Sequence, residues 1–80
     1  MKRMKPADIR SRIIDNGIRN LREFGYPKVT PENILTDLIY RTMFARMLKE
    51  NLGAGAEYDA VIHELIGEIA AVEDAEGGEK

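Results

Sequence analysis

Apolar residues recur along this chain at steps of three and four, not two. Ile9, Ile13, Ile14, Ile18, Leu21 and Phe24 form the first run. At 3.6 residues per turn they share one stripe of a cylinder, the mark of an amphipathic helix. Pro6 suits its opening turn, where the missing N–H costs nothing. Gly25-Tyr26-Pro27 ends it, because glycine accepts the left-handed position just past a helix and proline cannot continue one. One signal conflicts. Asn16-Gly17 is a strong hairpin pair, yet neither Ile9–Asp15 nor Ile18–Phe24 alternates apolar and polar as a half-buried strand must. The reading is a helix over residues 6–24 running through Gly17, where glycine costs about 1 kcal/mol relative to alanine. The missing side chain there would let another helix approach closely. A kink or break at Asn16-Gly17 is the alternative.

Thr30-Pro31-Glu32 carries the next start signal: an N-cap, a proline at the first position and an acid in the first turn. The segment runs over residues 31–52 and stops at Gly53. Thr36-Asp37 offers a second cap, which would split a short opening turn from the main helix. At 100° per residue, Ile34, Leu38, Tyr40, Met43, Phe44, Met47, Leu48 and Leu52 fill a broad arc, with Arg41 intruding on it. So wide an arc suits a central helix covered by two neighbours. Leu35 and Ile39 fall on the polar side with Thr42, Arg46, Lys49 and Glu50. Gly53-Ala54-Gly55-Ala56 reads as a flexible connection. Tyr58, Val61, Ile62, Leu65, Ile66, Ile69 and Val72 mark a third helix over 57–72, with Asp59, His63, Glu64 and Glu68 on its other face. From Glu73 the chain is acidic and glycine-rich with no apolar anchor, the composition of a disordered tail. The expected fold is all-α: one domain over 1–72, a small bundle of three main helices, followed by an acidic tail at 73–80.

Size and composition sharpen this. Eighty residues allow one domain with a small core, and chains near or below roughly 70–80 residues often lean on disulfides, a metal or a second subunit. The absence of cysteine removes disulfides, thiol redox chemistry and cysteine zinc sites. Helix packing or self-association remains, in keeping with a reducing cytoplasm. Met1-Lys2-Arg3-Met4-Lys5 looks like the basic front of an export signal. Asp8, Arg10 and Arg12 stand where its apolar run would be needed, so export is not expected. No window approaches the roughly 18–20 apolar residues of a membrane span.

The net charge of −2 hides a gradient. Residues 1–28 hold eight cations against three acids, residues 29–50 balance, and residues 51–80 hold one cation against eight acids. The basic front, with Arg10, Arg12, Arg19 and Arg22 beside Lys2, Arg3 and Lys5, is a candidate nucleic-acid face. The alternative reading is that the two ends attract each other, within the fold or head-to-tail between copies.

Candidate chemistry is sparse. His63 is the only histidine. Asp59 and His63 stand four apart, a spacing that suits metal binding from one helix face, but two ligands do not make a site. Asp59, Glu64 and Glu68 lie on an exposed face without the burial that tunes a catalytic carboxylate. No glycine-rich phosphate loop follows a strand. The expectation is a protein that is not an enzyme and has no cofactor, metal or catalytic residue. Tyr40, Met43, Phe44 and Met47 form an aromatic–methionine cluster, which is either core alone or core plus a partner groove. Leu35, Ile39, Tyr40, Met43 and Met47 are therefore the candidate partner-binding residues. They would serve a protein partner or a second copy of the chain, making a homodimer.

The run Asn20-Leu21-Arg22-Glu23-Phe24-Gly25-Tyr26-Pro27-Lys28-Val29-Thr30, continued by Asn33-Ile34-Leu35-Thr36-Asp37 and Ile39-Tyr40, resembles small uncharacterised helical proteins encoded by bacteriophages and prophages. The resemblance covers residues from about 15 to 52. It implies a bacterial cytoplasm and a small accessory protein binding a host or phage protein, and it brings no functional residue with it.

Overall fold

The structure is a computed structural model that describes residues 4–77. Three helices follow in order, α1 (Pro6–Glu23), α2 (Leu38–Glu50) and α3 (Ala56–Gly77), each packed on the other two. Among the described residues there is no strand, and no helix is long and apolar enough to cross a membrane. The fold is an all-α three-helix bundle.

α1 runs unbroken through Asn16-Gly17. Packing across the core accounts for the glycine: a Cβ on Gly17 would stand 2.5 Å from Phe44 Cε1 and 2.7 Å from Cδ1. The helix ends as the sequence predicts. Gly25 takes a φ of 111°. Its N–H donates to the Arg22 carbonyl at 3.1 Å, and that of Tyr26 donates to the Leu21 carbonyl at 3.0 Å. These are the two bonds of a Schellman cap, which satisfy carbonyls the helix leaves open.

The second helix differs from expectation: α2 begins at Leu38, not Pro31. Thr30 caps only a short turn. The Asn33 N–H donates to Thr30 Oγ1 at 3.3 Å and the Thr30 N–H donates to Asn33 Oδ1 at 2.8 Å, a reciprocal box in which asparagine takes the place of the usual glutamate or glutamine. Asp37 then adopts extended backbone, with ψ at 132°, and starts the main helix. Its Oδ1 accepts from the Ile39 and Tyr40 N–H groups at 3.0 and 3.3 Å. Of two competing caps, the second sets the helix. The split drops Ile34 into the core, fully buried.

α3 carries five residues past the predicted end at Val72, to Gly77. Glu73 and Glu76 on that extension reach Arg41 of α2. Residues 78–80 of the expected tail lie outside the described residues. The core takes Ile9, Ile14, Ile18 and Leu21 from α1, Val29 and Ile34 from the connection, Phe44 and Leu48 from α2, and Val61, Ile62, Leu65 and Ile69 from α3.

Candidate functional site

The four arginines of α1 do not form one basic face. Arg10 makes a bidentate pair with Glu68 of α3, Nη1 to Oε2 at 2.6 Å and Nη2 to Oε1 at 3.0 Å. That hydrogen bond raises the guanidinium pKa above its ordinary value, so Arg10 stays charged. Arg22 Nη2 donates to the Val29 carbonyl at 3.0 Å, tying the connection to the end of α1. Only Arg12 and Arg19 are exposed without an ion pair or hydrogen bond. They share their groove with Asp8 and Asp15, whose charge opposes phosphate binding.

Asp59 and His63 serve local structure. Asp59 Oδ1 accepts from the Gly53 N–H at 3.0 Å, holding the loop where Gly53 takes a φ of 97°. His63 Nδ1 lies 2.8 Å from the Asp59 carbonyl oxygen. A carbonyl only accepts, so Nδ1 carries the proton there. Among the described residues no group of three or more His, Cys, Asp or Glu side chains is placed to hold a metal ion.

The residue that intruded on the apolar arc, Arg41, is buried, at 3% exposure. Its Nη1 donates to the Thr36 carbonyl at 3.0 Å and its Nη2 to Glu76 Oε1 at 2.6 Å. Nε has no hydrogen-bond partner, and Glu73 Oε2 stands 3.8 Å from it. The hydrogen bond from Arg41 holds the Glu76 carboxyl below the usual carboxylate range. Arg41 thus joins the opening turn, α2 and the end of α3.

The five candidate partner-binding residues divide. Tyr40 packs edge-on against Tyr26, ring centroids 5.9 Å apart, and Met47 sulfur accepts a weak contact from Asn20 Nδ2 at 3.7 Å. Both are half-buried, as are Leu35 and Met43, while Ile39 is exposed. Beside Ile39 stands Leu38, which the sequence reading placed in the buried arc and which is exposed. Leu38 lies at the edge of that arc, about 120° around the helix from Phe44, in the first turn of α2. Leu52, assigned to the same arc, lies beyond the end of α2 and is also exposed. So is Phe24, the last residue of the first apolar stripe, which caps α1 instead of facing the core.

The sequence reading missed a cleft of about 140 Å³ between α1, α2 and the start of α3. Gly17, Phe44, Leu48 and Ile62 form its buried floor, and the exposed Asn16, Asn20 and Asn51 stand at its mouth. Asn51 Nδ2 is engaged with the Met47 carbonyl at 2.9 Å. The only sequence signal for this cleft was Gly17 as a point of close approach.

Comparison with protein-family models, curated proteins and solved structures gives no match for this chain.

Proposed function

We propose that this protein is a small non-enzymatic interaction module that binds another protein through the start of α2. The contact residues are Leu38 and Ile39, flanked by Leu35 and Met43. The observation that carries the reading is their exposure: Leu38 is 63% and Ile39 53% accessible at the head of a helix whose other face is core. Apolar residues exposed singly are ordinary, but a contiguous apolar patch with a polar rim marks a contact surface. Ile39 and Met43 stand one turn apart on one face. Thr42 and Arg46 supply polar neighbours. The resemblance to phage and prophage proteins supports a host or phage protein in the bacterial cytoplasm as the partner.

Against the nucleic-acid reading, Arg10 is paired with Glu68, Arg22 is tied to the Val29 carbonyl, and Arg12 and Arg19 share their groove with Asp8 and Asp15. The test of the protein-binding reading is retention from bacterial lysate on immobilised wild type, Ile39→Asp and the control Arg12→Ala. A protein held by wild type and the control but lost from a folded Ile39→Asp is the expected result. The same proteins retained on all three would sink the reading.

A further inference from the structure

Phe24 is the most exposed large apolar side chain among the described residues, at 70%, and nothing in the bundle uses it. On α1 it continues the line Ile13, Gly17 and Asn20, each within about 60° of the next on the helix surface. The first three of these residues line the cleft. An exposed aromatic ring and an open apolar cleft therefore share one face of one helix, on either side of Asn20. The cleft volume of about 140 Å³ falls in the class of apolar cavities, about 150 Å³, that accept benzene. It suits one phenyl ring.

We infer that the occupant is Phe24 of a second copy, and that the chain forms a two-fold dimer in which each Phe24 fills the other's cleft. A two-fold contact is self-complementary, so every residue pair occurs twice. Place the axis at Asn20 with the two α1 helices antiparallel. Phe24 then lies about 6 Å to one side of the axis and Asn16, at the cleft mouth, about 6 Å to the other, from the rise of 1.5 Å per residue. Each ring thus arrives over its partner's cleft. At the axis the two Asn20 amides meet, and each can donate Nδ2–H to the other's Oδ1. The weak contact of Asn20 with Met47 sulfur at 3.7 Å is easily given up.

The charges fit the same arrangement. Arg19 and Glu23 flank this face, both exposed and neither in an ion pair. In an antiparallel pair with this axis, like flanks face each other. Glu23 of one copy comes within about 3 Å along the axis of Arg19 of the other, forming two reciprocal pairs. The surface is separate from the Leu38–Ile39 patch, so the inference does not depend on the partner proposed above.

The experiment is sedimentation equilibrium of the full chain from low to high micromolar concentration, with circular dichroism on every variant. Wild type is expected to dimerise. Phe24→Ala should weaken dimerisation on the order of a hundredfold, since two seated aromatic anchors are lost at once, with helix content unchanged. Glu23→Arg should weaken it as well, and Glu23→Arg combined with Arg19→Glu should restore it. A folding defect would not produce that rescue. Any one of three results overturns the inference: a wild type that stays monomeric at high micromolar concentration, a Phe24→Ala variant that dimerises as well as wild type, or a dimer broken by Ile39→Asp but not by Phe24→Ala.

Discussion

A glycine inside a helix ordinarily weakens it by about 1 kcal/mol relative to alanine, and Gly17 should reverse that sign. A methyl group there meets the ring of Phe44 at 2.5 Å, and that ring is pinned in the core at 1% exposure. Overpacking of this kind costs about 1–3 kcal/mol. Set against the propensity gain, Gly17→Ala should lose up to about 2 kcal/mol net, read from the urea midpoint. A more stable Gly17→Ala protein would mean that Phe44 moves aside freely. Phe44 and Leu65, at 1% and 0% exposure, should each lose about 2–5 kcal/mol on truncation to alanine. In a marginal domain such a loss unfolds a large share of molecules at ambient temperature. A thermal melt that moves with neither truncation would show the core to be elsewhere.

At the level of the elements, the most sensitive join is the one Arg41 makes between α2 and the last turns of α3. Glu76 has its folded pKa lowered by the hydrogen bond from Arg41. The stability it contributes is therefore present above its unfolded-state pKa and lost as pH falls through the folded value. Acidification below the ordinary carboxylate range should fray the end of α3 and leave Nη2 of the buried Arg41 guanidinium without its partner. Glu76→Gln should be less stable than wild type near neutrality, and the difference should vanish in acid. Circular dichroism melts across pH check this, and a gap that persists in acid would rule the ion pair out as its cause. The three helical stripes were legible in the sequence because a 3.6-residue period leaves its mark on any segment with one buried face. The boundaries were less so. Thr30 and Asp37 are both good N-caps, and only the packing of Ile34 beneath α1 selects between them. The end of α3 looked like an acidic tail because its partner, Arg41, lies 35 residues away from Glu76. The exposed patch was half legible: Ile39 fell on the polar side by periodicity, while the exposure of Leu38 and Phe24 was missed. The cleft depends on the relative placement of three elements, which no local pattern encodes.

Across the whole molecule, the charge gradient of the chain is partly folded back on itself, with Arg10 on Glu68 and Arg41 on Glu73 and Glu76. The bundle measures 49 × 29 × 20 Å, while charges are screened over about 8 Å at physiological salt. Arg12 and Arg19 thus act on phosphates against nearby Asp8 and Asp15. Duplex DNA should bind weakly and let go as salt rises. Glu68→Ala, which frees Arg10, should raise affinity only at low ionic strength, as fluorescence anisotropy would register. Tight, sequence-selective binding at physiological salt would reverse this ranking. The contact of Gly17 with Phe44 and Ile34, where α1, the opening turn and α2 converge, also sets a rule for how the sequence can diverge. A side chain gained at position 17 is tolerated only if the ring at position 44 shrinks in the same lineage. The two positions should therefore covary among descendants of this chain, with Gly17→Ala harmful alone and largely compensated by Phe44→Leu.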